Sequence, residues 1–153
     1  MARSSIRISD QWHGMKSVPA THRKELQLFI DSLDFPWLQR RASIFLGENC
    51  EARTDLFAVG REHVVYEIIS PSAAAIVRIQ KPLLWQASGS ECQSMPSAQD
   101  MCNEAATLRY VSNNTTIPVP HLYEYDPDRF NPFGAAYMLM EEMQSSHPSP
   151  SNS

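Results

Sequence analysis

The chain has 153 residues, of which 42% are hydrophobic and 20% are charged, and its formal net charge is −4. This length suits one domain of ordinary size, and the hydrophobic content is sufficient for a buried core. The charge argues against nucleic acid and against an anionic membrane surface as partners, because both require clustered lysine and arginine. The sequence has no large basic block of that kind.

The cysteines and histidines lack the spacing of a disulfide framework or a metal site. Cys50, Cys92 and Cys102 are odd in number and unpaired in spacing, which predicts free thiols in a reducing compartment. The five histidines share no ligand spacing, so we expect no metal site in the chain itself. The amino terminus lacks the apolar run of a signal peptide, and no apolar stretch is long enough for a membrane span. We therefore expect a cytoplasmic protein.

The amino-terminal part of the chain divides into a polar leader and a helical segment. Residues 1–20 have no sustained hydrophobic period, which predicts a disordered leader. Residues 21–49 are predicted to form two short helices separated at Pro36, because a proline restricts the residue before it. The first of these helices is indicated by apolar residues at helical spacing, namely Leu26, Phe29, Ile30 and Leu33.

The rest of the chain has the composition of strands with one helix between them. A capping sequence at residues 97–100 begins a helix predicted to run to about residue 111. The tight connections of the first three strands predict antiparallel pairing. The fold class is therefore α+β, with an antiparallel five-stranded sheet, one packed helix and preceding short helices. The strands are predicted from β-branched and aromatic residues at 54–60, 63–70, 73–80, 121–125 and 135–141.

Five segments match one known family in their residues, and not only in the order of strands and helix. They are residues 60–68, 75–79, 103–111, 117–126 and 134–141. In this order they resemble the amino-terminal, nucleotide-covering lobe of the aminoglycoside phosphotransferase family, which has a protein-kinase-like fold. The Ile-Pro-Val-Pro sequence that begins at Ile117, with the Tyr-Asp pair that ends at Asp126, is similar to fungal members. The resemblance implies a kinase-like lobe over residues 50–143 that binds ATP.

The resemblance also implies roles for five residues. Arg78 matches the basic residue of the third strand, which contacts the nucleotide phosphates, although most kinases have lysine there. Glu104 matches the helix carboxylate that holds this basic residue, and Gly60 matches the turn over the phosphates. Met140 and Glu141 match the hinge that meets adenine. Without the resemblance, Arg78 and Glu104 would be interpreted as solvent-facing residues and Gly60 as part of a hairpin turn.

The residues that perform phosphoryl transfer in this family lie in a second, helical lobe after the hinge. Only residues 144–153 follow the matched segment, and their serine and proline content predicts a disordered tail. No His-Gly-Asp sequence occurs, so we expect no catalytic residue in the chain and magnesium only if a second lobe is supplied. Without that lobe, Val65, Ile76 and Leu139 are expected on an open sheet face that the missing lobe or another protein would cover.

Three interpretations of the sequence stay open. The first is a truncated phosphotransferase, from an early stop or an error in the gene model, that is inactive alone. The second is a genuine non-catalytic module that binds a nucleotide or a protein partner. The third is an unrelated α+β interaction domain, for which substitution of Arg78 or Glu104 would leave nucleotide affinity unchanged because there is none. The ligand is a nucleotide in the first interpretation, and a nucleotide or a protein in the second.

Overall fold

A computed structural model describes residues 7–82 and 98–143 of the chain. Within these ranges the fold is α+β, as predicted, and its sheet is antiparallel. Two 3₁₀ turns, Ile8–Gln11 and Gly14–Ser17, precede the first helix. The regular elements are α1 (Ala20–Asp31), α2 (Phe35–Leu46), β1 (Glu51–Ala52), β2 (Ala58–Val59), β3 (His63–Ile69), β4 (Ala74–Gln80), α3 (Ala98–Asn114), β5 (Leu122–Asp126) and β6 (Tyr137–Glu141).

The sheet has six strands rather than the five predicted from the sequence. Its order is β1-β3-β4-β6-β5, and β2 also pairs with β3. The additional strand, β1, has two residues and pairs Glu51 with Ile69. A two-residue strand has no alternation of side chains to detect, which explains why the sequence pattern missed it. The antiparallel meander predicted for the first strands is confirmed by the pairing of β2 with β3 and of β3 with β4.

One face of the sheet, which we call the core face, carries the main hydrophobic core. It is defined by Tyr66, Val77 and Leu139, all of them fully buried. Helices α1 and α2 pack against it through Leu26 and Leu38, which are also fully buried. The helical segment and the sheet therefore share one core and are not separate units.

Helix α2 begins and ends at residues with recognisable capping roles. The Asp34 carboxylate accepts a hydrogen bond from the Trp37 backbone N–H at 3.0 Å, and Pro36 lies in the first turn. Gly47 ends the helix in the left-handed region at φ 76°. Pro36 was predicted to separate the two helices, but it lies inside the first turn of α2, which starts at Phe35.

The opposite face, which we call the Arg78 face, is defined by Val65, Arg78 and Met138, which are aligned across β3, β4 and β6. Helix α3 covers part of this face. Its Met101 and Ala105 are buried against Met138 in a second, smaller hydrophobic cluster. The sheet thus has helices on both faces, whereas the sequence predicted a single packed helix.

The prediction of a disordered leader is wrong for residues 7–19. Ser9 is fully buried, and Val18 belongs to the main core. The Gly14 backbone N–H donates to the Phe57 carbonyl oxygen at 2.9 Å. The residues that make these contacts are polar or isolated in the sequence, so they form no hydrophobic period that could predict the contacts. Residues 1–6 and the predicted disordered tail, residues 144–153, lie outside the described residues.

One of the three apolar residues expected on the open sheet face lies on the other face. Leu139 is fully buried on the core face, because its register partner is Val77. Val65 and Ile76 do lie together on the Arg78 face, and both are half-buried. None of the helices in the described ranges is long and apolar enough to cross a membrane.

Candidate functional site

The centre of the Arg78 face is an ion pair between a strand and a helix. The Arg78 Nη2 atom of β4 contacts the Glu104 Oε2 atom of α3, and it also lies 3.3 Å from the Met138 sulfur. The side chain of Arg78 is 27% exposed and that of Glu104 is 45% exposed. The structure therefore brings together the two residues that the sequence comparison paired.

The packing of α3 explains why Glu104 reaches Arg78. Met101 and Ala105 are four positions apart, so they share the helix face that is buried against the sheet. Glu104 is three positions after Met101 and therefore lies at the border of that face. From this border its carboxylate extends along the sheet surface to β4.

The Arg78 guanidinium has more donors than the described protein satisfies. Its Nε atom is buried and has no hydrogen-bond partner. Nη2 contacts Glu104 and Met138, while Nη1 makes no hydrogen bond within residues 7–82 and 98–143. A buried donor without a partner costs roughly 1–3 kcal/mol. Since Nε itself is buried, an added acceptor would bind at Nη1 of this partly exposed side chain.

His63 lies on the same face, one row away from Arg78. Within the described ranges its ring makes no hydrogen bond, and the side chain is half-buried. Burial lowers the pKa of His63, and the positive charge of Arg78 lowers that pKa further. Glu62 and Glu104 act in the opposite direction, while Lys81 adds to the lowering. Sequence reasoning missed His63, because only the strand register reveals that it faces Arg78.

Gly60 lies in the turn between β2 and β3, as predicted. Its backbone N–H donates to the His63 carbonyl oxygen at 2.8 Å. Gly60 is outside the left-handed region, and a Cβ atom added there would only approach the His63 carbonyl oxygen at an ordinary 3.7 Å. The turn therefore does not require the backbone freedom of glycine at position 60, and it is an ordinary hairpin.

The two predicted hinge residues lie at the end of β6. Met140 pairs with Ile76 on the Arg78 face and is half-buried. The Glu141 backbone N–H donates to the His121 carbonyl oxygen at 2.8 Å, and its carboxylate accepts the His121 backbone N–H at 3.0 Å. Glu141 is thus already engaged within the protein, and the apolar surface nearby comes from Met140, Ile76 and Val65.

The far end of the Arg78 face carries a buried carboxylate that the sequence did not reveal. Glu67 is fully buried, and its Oε1 atom accepts hydrogen bonds from the hydroxyl and the backbone N–H of Ser9. Arg7 lies 3.9 Å from the other oxygen, Oε2. Arg53 donates to the Ser9 hydroxyl at 3.0 Å and to Asp10 at 2.9 Å. These contacts bind the leader to the sheet.

Glu142, just after β6, forms a carboxyl pair with Glu67. Burial raises the pKa of Glu142 to about 8, with further contributions from a hydrogen bond to Glu67 and from its like charge. Arg7 opposes the shift. Ala74 of β4 lies between the two strands at this level, and its small side chain leaves room for the carboxyls to meet. At neutral pH Glu142 is therefore protonated.

The cleft that the structure describes does not include the Arg78 ion pair. A cleft of about 1080 Å³ opens at the carboxyl end of β4, lined by Gln80, Lys81 and residues of the loop between β5 and β6. Neither Arg78 nor Glu104 lines this cleft. In the part of the chain that the structure describes, no group of three or more histidine, cysteine, aspartate or glutamate residues is placed to hold a metal ion.

Comparison of the chain with protein-family models, curated proteins and solved structures gave no match. The membership of the aminoglycoside phosphotransferase family therefore stays a prediction.

Proposed function

We propose that the Arg78 face is a nucleotide-binding surface on which Arg78 contacts the phosphates and Glu104 orients the guanidinium. The observation that carries this proposal is the ion pair between Arg78 and Glu104, which leaves other donors of Arg78 unused. An arginine fork binds phosphate oxygens in a bidentate geometry, and such charge-assisted bonds are roughly twice as strong as neutral ones. The ligand class is a nucleotide, with ATP as the expected member.

The apolar surface beside Arg78 suits the base of that nucleotide. Val65 is the register partner of Arg78 on β3, and Ile76 is the partner of Met140. All three apolar side chains are half-buried on one face, so a planar ring can lie against them. The phosphates would extend from there toward Arg78 and the turn at Gly60.

No catalytic residue is proposed in this chain. Phosphoryl transfer depends on metal ions and on a residue that orients the acceptor hydroxyl, and the proposal assigns neither to the described residues. The proposed activity is nucleotide binding, in a lobe that resembles one half of a phosphotransferase. Phosphoryl transfer would require the second lobe, which would supply the ligands for magnesium.

The proposal is tested by titrating the full 153-residue chain with a fluorescent ATP analogue and by isothermal calorimetry with ATP. Arg78→Ala is expected to weaken binding about 10- to 150-fold, because a hydrogen bond to a charged group contributes about 1.5–3 kcal/mol. Glu104→Gln is expected to weaken it only about 2- to 5-fold, since an exposed ion pair contributes at most about 1 kcal/mol.

The matched control is Arg40→Ala, which removes an exposed arginine on α2, the helix that covers the core face. Its affinity for ATP should equal that of the wild type. Melting temperatures of all variants exclude a folding defect. Absence of ATP binding by the wild type, or equal binding by wild type and Arg78→Ala, would contradict the proposal and favour an unrelated interaction domain.

A further inference from the structure

The strand register places His63 and Arg78 within reach of one common ligand. His63 pairs with Gln80, and Val65 pairs with Arg78. Residues two apart in a strand point to the same face, so His63 and Arg78 are diagonal neighbours on the Arg78 face. Such diagonal neighbours lie roughly 7–8 Å apart at their backbones, within reach of long side chains. The charge of Arg78 acts on the His63 ring, which agrees with this proximity.

The surroundings of His63 differ from those of a structural histidine. A structural histidine in a core is held by hydrogen bonds, whereas this half-buried ring has none within the described ranges. It is not among the buried polar groups that lack a partner, so its nitrogens reach solvent. Its position leaves a ring nitrogen accessible to a ligand that also contacts Arg78.

The charges that face His63 come from every element around it. Arg78 on β4 and Lys81 just after β4 are positive, while Glu62 in the preceding turn and Glu104 on α3 are negative. Burial and the charge of Arg78 lower the pKa of His63, so its ring is neutral at neutral pH without ligand. A polyanion placed between His63 and Arg78 would reverse this balance, because it favours the protonated ring.

We propose that His63 is a second phosphate-binding residue of the Arg78 site, and that its imidazole takes up a proton when a polyphosphate binds. This inference rests on the proposed function and names the part of the nucleotide that the site recognises. The ligand class is a di- or triphosphate chain, held by the guanidinium on one side and the imidazolium on the other. The proton comes from solvent, and no bond in the ligand changes.

The test uses calorimetry of the full chain with ATP and with sodium tripolyphosphate, both without divalent metal. Titrations in two buffers of different ionisation enthalpy give the number of protons taken up on binding. The wild type is expected to take up a proton at about pH 7, and its affinity is expected to fall roughly 3- to 10-fold between about pH 6 and pH 8.

The matched variant is His63→Gln, which keeps a polar side chain that cannot be protonated. It should bind with the affinity that the wild type has at the higher pH, show a flatter pH profile and take up no proton. Because the ring has no hydrogen-bond partner in the described protein, the substitution should leave the melting temperature nearly unchanged.

The outcomes separate this inference from the proposed function. Binding that requires Arg78 but has the same proton uptake and pH profile in His63→Gln would overturn the role of His63 alone. Binding of ATP without any binding of tripolyphosphate would place recognition on the nucleoside and would also overturn it. Absence of binding by the wild type to either ligand would overturn both proposals.

Discussion

Replacement of Ser9 by alanine tests whether the leader is an integral part of the fold. The Ser9 hydroxyl donates to the buried Glu67 carboxylate and accepts from Arg53 at 3.0 Å. In Ser9→Ala, the Oε1 atom of Glu67 keeps only the Ser9 backbone N–H at 3.3 Å. Arg53 retains its bond to Asp10. The variant therefore leaves a fully buried carboxylate under-satisfied.

The expected cost follows from the character of the lost bond. A hydrogen bond to a charged group contributes about 1.5–3 kcal/mol, so Ser9→Ala should lower the free energy of unfolding by about 2 kcal/mol. For a domain of this size, that loss corresponds to a fall of roughly 4–8 °C in the melting temperature. The control is Ser32→Ala, whose exposed hydroxyl bonds the Phe29 carbonyl oxygen and should cost less than about 0.5 kcal/mol.

The assay is thermal unfolding followed by circular dichroism, combined with amide hydrogen exchange across residues 7–18. The exchange of this segment should accelerate in Ser9→Ala and stay unchanged in Ser32→Ala, because Ser9, unlike Ser32, binds the leader to the sheet. A melting temperature within about 2 °C of the control, with unchanged exchange, would refute the reasoning that Ser9 stabilises the docked leader.

Two further predictions concern backbone conformation and pH. Gly14→Ala should destabilise the fold by at least about 1–3 kcal/mol, because Gly14 has φ +59° and a Cβ atom would lie 2.6 Å from the Asp55 carbonyl oxygen. Gly60→Ala should leave the free energy of unfolding unchanged, since the added Cβ atom has room. Denaturant titration measures this free energy for both variants, and equal losses in the two would contradict the prediction. The pKa of Glu142 is raised from 4.5 in the unfolded chain to about 8 in the folded one. The protonated carboxyl therefore stabilises the fold fully below pH 4.5, and this contribution is lost as the pH rises through about 8. The free energy of unfolding should decline over this range. Glu142→Gln should remove this decline in unfolding free energies measured across that range, and parallel curves for the two proteins would contradict it.

The parts of the fold that the sequence predicted are those with local patterns. Strands β3 and β4 are dense in β-branched residues and were placed within one residue of their bounds. The pairing of Arg78 with Glu104 followed from the order of matched segments, and the structure has the two side chains in contact. Neither residue would have been selected from composition alone, because a charged residue on a strand or helix usually faces solvent.

The parts that the sequence did not predict depend on contacts distant along the chain. Ser9 and Glu67 are 58 residues apart, and nothing near Ser9 indicates a buried partner. The raised pKa of Glu142 comes from its burial in the folded chain and then from Glu67 beside it. His63 acquires a role only when the register aligns Val65 with Arg78. Each of these depends on a tertiary contact, which local propensity does not encode.

The docked leader also protects the outer edge of the sheet against pairing with another molecule. Among the residues that the structure describes, that edge of β3 is bordered by β1 and β2, each two residues long. Such short strands offer little template for an intermolecular β-sheet. In the segment between β1 and β2, the Phe57 carbonyl oxygen accepts a hydrogen bond from the Gly14 N–H. Gly14 begins a 3₁₀ turn, which cannot extend as a strand. A polar segment without a hydrophobic pattern thus covers part of one edge of the sheet.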